Sequence, residues 1–428
     1  MRIGIWHNLP SGGGKRVLYG HVQGLIERGH TVEAWCPPTA DQTYLPLTEL
    51  CEEHVVPLST AQPWPWLRRG RVVVDYWEMS RRLSAMDDHC RECASAINRK
   101  GFDVLFANSC VLFRVTSIAK HVRIPSILYL QEPYRWLYEA LPKLPWALPD
   151  SGRRFWSPAR SLRLALDLIR VQSLRLQVRA EIENAAAFRS ILVNSLYSRE
   201  SLLRAYGLES KVCYLGVDDE EFAPTGEATG SFVLGVGGLS YAKGADRAIR
   251  ALGQVAATKR PELVWVGNFL DRQYERELRR LAAAQAVQFK VIVRASDVEL
   301  VSLLSRAKML LYTSRLEPFG LAPLEANACA TPVVAIAEGG VRESVHHEQN
   351  GLLVTGDDPK ELARAIERLI DDPEFGRELG RRALRYVKDN WRMRDAIDRL
   401  EAALLDINER EASEALPAAL SPLALAST

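Results

Sequence analysis

The feature that most restricts the fold of this chain is a rhythm that runs through its first half and then starts again. Residues 2–6, 31–36, 55–58, 104–107, 126–130 and 191–193 are short apolar runs of strand length, separated by helical stretches. Continuous apolar runs mark strands covered on both faces, and strands alternating with helices imply a parallel sheet with helices on either side. From Ser231 the pattern restarts, with strands expected at 232–236, 262–266, 289–293, 309–312, 333–336 and 352–354 and helices at 245–257 and 272–284. At 428 residues the chain exceeds what one core supports. The expectation is an α/β protein of two doubly wound parallel-sheet domains facing across a cleft. The first spans 1–222 and carries a basic, aromatic insert at about 134–185. The second spans 223–390, after a junction where residues 220–230 are acidic and contain Pro224, Gly226 and Gly230. A helix at 391–410 is expected to cross back to the first domain, and 411–428, which has no charge after Glu414, reads as a poorly ordered tail.

Ligands of doubly wound sheets lie beyond the carboxyl ends of the strands, so the strand-to-helix loops deserve the closest reading. The first is Asn8-Leu-Pro-Ser-Gly-Gly-Gly14, whose glycines let a ligand approach the backbone but lack the G-x-G-x-x-G spacing of a dinucleotide site. The second is Glu317-Pro-Phe-Gly-Leu-Ala-Pro-Leu-Glu325. It places Glu317 on a loop after a buried strand and Glu325 on the first turns of an Ala-rich helix. Such a loop aims backbone N–H groups and the positive end of a helix at one point, which suits an anion. On spacing alone, acidic residues complementing a helix dipole explain the two carboxylates equally well.

Composition narrows the classes. The formal net charge of +2 gives no general attraction to nucleic acid. The opening Met1-Arg-Ile-Gly-Ile-Trp6 lacks the core of a signal peptide, and no window approaches the ~20 apolar residues of a membrane span. Seven scattered cysteines fit a reducing, cytoplasmic setting, and Cys90-Arg-Glu-Cys93 has no second pair at zinc spacing. Two segments stand apart. Residues 62–82 hold Trp64, Trp66, Arg68, Arg69 and Arg71. Residues 134–179 hold Trp136, Trp146 and Trp156, with Arg153, Arg154, Arg160, Arg163, Arg170, Arg175 and Arg179. Two readings stay open: a surface for an anionic membrane or acidic acceptor, or helices packed on the core with solvated arginines.

These pieces resemble the retaining glycosyltransferases of family 4, which have the GT-B fold of two Rossmann-like domains. The resemblance is carried by Gly12-Gly-Gly14, Asn194-Ser195 with Tyr197-Ser-Arg-Glu200, and Tyr214-Leu-Gly-Val-Asp218. It continues through Val236-Gly-Gly-Leu-Ser-Tyr-Ala-Lys-Gly244, the E-x7-E pair Glu317 and Glu325, and Glu338-Gly-Gly-Val-Arg-Glu343. It implies transfer of a sugar from a nucleotide-diphosphate donor to a hydroxyl acceptor. Glu325 would bind the ribose hydroxyls, Glu317 the transferred sugar, and the N–H groups of Phe319, Gly320 and Leu321 the distal phosphate. Gly13 and Gly14 would close over the diphosphate, with Lys243 as its cation. Gln131 stands where the family carries a catalytic histidine, with Glu132, Arg135 and Trp136 on the acceptor side. Gly238 stands where the family carries a second phosphate arginine, leaving Arg315 and Arg247 as candidate substitutes. No Asp-x-Asp occurs, so neither a metal clamp nor a cofactor is expected. The expected partners are the nucleotide-sugar and a hydroxyl acceptor, lipid-linked or glycan, reached at the inner face of a membrane. Gly238 and Gln131 keep a catalytically silent glycan-binding or scaffold subunit open as an alternative. Another GT-B enzyme, such as a sugar-nucleotide epimerase or a phosphorylase, is the other.

Overall fold

A computed structural model of the chain describes residues 1–59, 71–133 and 158–415. Its first sheet contains β1 (Arg2–Asn8), β2 (Thr31–Cys36), β3 (Glu52–Val55), β4 (Val104–Cys110), β5 (Ser126–Tyr129), β6 (Ser190–Val193) and β7 (Lys211–Val212). They lie in the order β3-β2-β1-β4-β5-β6-β7, and the neighbours pair in parallel. The second sheet contains β8 (Phe232–Val236), β9 (Glu262–Gly267), β10 (Phe289–Val293), β11 (Leu310–Tyr312), β12 (Val333–Ile336) and β13 (Gly351–Val354). Its order is β10-β9-β8-β11-β12-β13, again parallel throughout. The order reverses between β1 and β4 and between β8 and β11, so each sheet opens a crevice at that point.

The helices are α1 (Gly13–Glu27), α2 (Arg71–Lys100), α3 (Pro158–Ala185), α4 (Leu196–Tyr206), α5 (Ala245–Gln254), α6 (Arg272–Ala284) and α7 (Asp297–Arg306). They continue with α8 (Leu321–Ala328), α9 (Val341–Ser344), α10 (Pro359–Asp371), α11 (Pro373–Asn390) and α12 (Met393–Ala415). Strands β4, β5, β11 and β12 are buried along their whole length, as unbroken apolar runs require.

Three local expectations need correction. The strand expected at 55–58 instead occupies Glu52–Val55. It is an edge strand whose polar residues have fixed partners, with His54 beside Glu33 at 3.0 Å and Glu53 turned inward to His7 at 2.8 Å. The helix expected at 245–257 stops at Gln254, because Val255 takes an extended conformation and packs in the core. The two-residue strand β7 was not anticipated; so short an edge carries no hydrophobic pattern. Arg135, Trp136, Trp64, Trp66, Trp146, Trp156, Arg153, Arg154 and residues 416–428 lie outside the described residues. Where α3 is described, it buries Ser173, Gln177, Val178, Glu181 and Ala185 and turns Arg175 and Arg179 outward. Cys90 and Cys93 are both buried on α2. Among the described residues no helix is long and apolar enough to cross a membrane.

Two crossings link the sheets. Val217 bridges to Arg392 across them, and the rings of Tyr214, Phe319 and Trp391 pack together beside that bridge at 5.3–6.3 Å. Helix α12 then returns to lie on α1. Gly20 and Gly24 make room for it: a Cβ at Gly24 would stand 2.1 Å from Ile397 Cδ1, and one at Gly20 2.8 Å from Met393 Cε. Arg28 and His30 tie the same contact to Glu401 at 2.7 Å each.

Candidate active site

The loops after β1, β5, β8 and β11 meet around a cleft of about 750 Å³ between the sheets. On the first-domain side, Gly12, Gly13 and Gly14 start α1 without a side-chain cap, leaving its N-terminus for another partner. Gly13 faces Leu321 across the cleft, with 3.8 Å between its Cβ position and Leu321 Cδ2. Gly14 lies against the Gln131 amide, where an added Cβ would stand 3.0 Å from Oε1. Gln131 follows β5, and its backbone N–H donates to Ser109 Oγ at 3.3 Å. Glu132 beside it pairs with Arg114 at 2.6 Å. Gln131, Glu132, Arg114 and Ser109 all line the cleft. Arg135 and Trp136, also expected on the acceptor side, lie outside the described residues.

On the second-domain side, β8 leads through Gly237-Gly238 to Lys243, and β11 leads to Glu317 and then to α8. Lys243 Nζ donates to Glu317 Oε1 at 2.7 Å, and both are partly exposed to the cleft. Gly320 is the N-cap of α8 with φ of 95°, a conformation that resists a side chain, and no side chain caps the helix. Phe319, Gly320, Leu321 and Glu325 line the same cleft as Lys243 and Glu317. Glu325 is only 5% exposed. Burial raises its carboxyl above the usual range, Asp297 adds to this, and Arg16 opposes it.

Arg16 is the residue that sequence reasoning missed. It projects from the first turn of α1 to within 3.6 Å of Glu325 Oε1 on the other domain, and pairs with Asp297 and, at 3.4 Å, with Glu221. It also donates to Tyr44 Oη at 2.6 Å and lies 5.0 Å from the Phe222 ring centroid. One signal was present: Lys15 and Arg16 put two cations in a first helical turn with no acidic residue, against the dipole. Lys15 resolves differently. Its side chain is wholly buried, 4.0 Å from Glu53, which itself is hydrogen-bonded to His7. Glu343 was likewise quoted without a role. It accepts the N–H groups of Leu196 and Tyr197 at 2.8 and 2.9 Å and the Tyr214 hydroxyl at 2.9 Å, seating α9 on the N-terminus of α4 across the domains.

Gly238 leaves a space bordered by Phe269, which is 62% exposed. Of the two candidate substitutes, Arg315 lines the cleft and grips Glu338 through two bonds of 2.8 and 2.9 Å. Arg247 is held by the Thr313 carbonyl at 3.4 Å and Asp357 at 3.5 Å and does not line the cleft. Among the described residues, two groups have metal-ligand composition: His7, Cys36 and Glu53, and Glu33, Glu52 and His54. Neither lines the cleft.

Two family models match nearly end to end: Glycosyltransferase Family 4 over residues 11–221 and Glycosyl transferases group 1 over residues 217–386. The chain is 33% identical over 238 residues to a D-inositol 3-phosphate glycosyltransferase of Acidothermus cellulolyticus, covering 50% of this chain and 53% of that protein. It spans about half the length of the curated relatives it matches. Among solved structures, Anabaena HepE in complex with UDP and glucose superposes with a TM-score of 0.66 at 18% identity, covering 97% of this chain and 99% of that one. A sucrose-phosphate synthase of Thermosynechococcus elongatus gives 0.67 at 18% identity, covering 96% and 100%.

Proposed function

The chain belongs to the family 4 glycosyltransferases with the GT-B fold, and from that premise we propose that it moves a sugar from a nucleotide-diphosphate donor to a hydroxyl acceptor with retention of configuration. The observation that carries this reading is the convergence of Lys243, Glu317, the uncapped N-terminus of α8 and Glu325 on one cleft wall, opposite the glycine loop of α1. Their chemistry is complementary to the parts of such a donor. A buried carboxylate accepts the two ribose hydroxyls, while helix N–H groups and an ammonium hold a diphosphate. Glu317 lies beside the charge that develops as the sugar leaves. In a front-face displacement the bond from the sugar carbon to the phosphate oxygen breaks as the acceptor oxygen attaches. The acceptor proton passes to the departing phosphate oxygen. Lys243 then exchanges Glu317 for phosphate when the donor enters.

The absence of Asp-x-Asp motivates a metal-independent reaction, in which Lys243 and the α8 N-terminus serve as the phosphate clamp. Activity is expected to persist in EDTA; loss restored by Mg²⁺ or Mn²⁺ would overturn that clamp. Release of nucleotide from a panel of UDP-, GDP- and ADP-sugars tests the activity itself. Turnover of one donor supports transfer, and none across the panel favours a silent subunit, which Gly238 and Gln131 motivate. The tryptophans and arginines of 62–82 and 134–179 further motivate a cytoplasmic protein bound peripherally to an anionic membrane, meeting a lipid-linked acceptor there. Sedimentation with anionic vesicles should fall with salt. Lack of sedimentation at low salt would leave a transferase for a dissolved acceptor.

A further inference from the structure

We propose that Arg16 is a positioning residue of the nucleoside subsite, contributed across the cleft by the first domain to the Glu325 carboxylate of the second, so that the subsite is complete only when the cleft is closed. The inference rests on the donor reading of Glu325 given above. Its starting point is that Arg16 belongs to α1 while Glu325 belongs to α8, so separating the two sheets separates the pair. The Arg16 side chain is 12% exposed and the Glu325 side chain 7%, and their closest atoms are 3.6 Å apart. Arg16 is also firmly aimed. Asp297 at the start of α7, Glu221 on the crossing segment, the Tyr44 hydroxyl and the Phe222 ring fix its guanidinium from four sides.

The consequence follows from what a ribose requires. Two vicinal hydroxyls donate best to an ionised carboxylate, which offers acceptors only; a protonated carboxyl gives one acceptor position back as a donor. The groups that face Glu325 are Arg16 from α1, Tyr44 from the loop after β2, Glu221 from the crossing, Asp297 from α7, Tyr312 from β11, and Cys329 at the end of its own helix. Of these only Arg16 is a cation. Burial and Asp297 push Glu325 toward its neutral form, and Arg16 opposes them. Arg16, 3.6 Å away, favours the ionised, acceptor-only form of Glu325. Withdrawn from it by opening, Glu325 becomes a poorer ligand, and nucleotide leaves more readily.

Calorimetry with UDP, GDP and ADP on the full chain tests this, run as a series from weakly acidic to weakly alkaline pH, since burial raises the Glu325 carboxyl. For whichever nucleotide binds most tightly, Arg16→Ala should weaken binding by about tenfold at neutral pH and move the acid limb of the affinity profile upward. Arg16→Lys should hold that limb near its wild-type position. Glu325→Ala should weaken binding by itself, and adding Arg16→Ala to it should cost nothing more, because the two act as one unit. Should Arg16→Ala lose its folded circular dichroism, Arg16→Gln carries the same comparison. Additive losses, or an unmoved acid limb with Glu325→Ala still weakening binding, would overturn the role of Arg16 and leave the donor reading standing. No effect of Glu325→Ala, or no binding of any of the three nucleotides, would remove the donor reading and this inference with it.

Discussion

Replacing Lys243 by methionine keeps the length of its stem and removes its charge. The ammonium is engaged with Glu317 at 2.7 Å, with the two side chains 29% and 19% exposed. A hydrogen bond from an ammonium to phosphate contributes about 1.5–3 kcal/mol. An ion pair as exposed as Lys243–Glu317 offsets up to about 1 kcal/mol of that, since it must be given up when phosphate arrives. The net loss is then about 0.5–3 kcal/mol, or roughly a 2- to 150-fold rise in donor KM. No neighbour on the loop makes up the difference, because Gly238 has no side chain and Arg315 is already committed to Glu338. Initial rates across donor concentrations, with and without added Mg²⁺, measure it. A KM within twofold of wild type, or one rescued by the metal, would refute the placing of Lys243 on the diphosphate.

Glu325→Ala should act mainly on nucleotide affinity and Glu317→Ala mainly on turnover; equal, small effects on both quantities would sink the division of roles. Gly24→Ala should destabilise the protein by about 1–3 kcal/mol through its clash with Ile397 Cδ1, less about 1 kcal/mol of gained helix propensity. In an Ile397→Val background, which lacks that atom, Gly24→Ala should cost less in urea denaturation than in the wild type, and an equal cost in both would show that the Cδ1 contact is not the cause. His21 is buried with neither ring nitrogen paired among the described residues, and burial first, then Arg399, lowers its pKa to about 4. Because the folded value lies below the unfolded 6.5, the folded chain binds fewer protons and stability falls as pH drops from 6.5 toward 4, by about 3 kcal/mol in full. His21→Leu should flatten that limb of the denaturation profile; an unchanged slope would place the acid sensitivity elsewhere.

Strands buried on both faces were the most legible part of the chain. In the second domain, residues 232–236 and 333–336 were read with the bounds they have, because nothing but apolar residues can occupy the middle of a covered parallel sheet. The edge was illegible for the converse reason. Glu52, Glu53 and His54 form β3 through side-chain partners far away in sequence, and their local pattern is that of a loop. Strand order put the site beyond the carboxyl ends of the strands, and the family resemblance named Gly13, Gly14, Gln131, Lys243, Glu317 and Glu325, all of which line one cleft. The ties between the domains could not be read. Arg16 with Asp297 and Glu325, and Glu343 with the start of α4, join residues that share no spacing.

The return of α12 to α1 has a bearing on how the molecule is made. A ribosome delivers the first sheet and α1 long before Met393 and Ile397, whose seats at Gly20 and Gly24 are already shaped. Domains tend to fold as they emerge. Here the seat at Gly20 and Gly24 on α1 stays uncovered until Met393 and Ile397 have been synthesised. A chain cut short at about Asn390 would therefore leave the first half with that seat open, while the second would lack little.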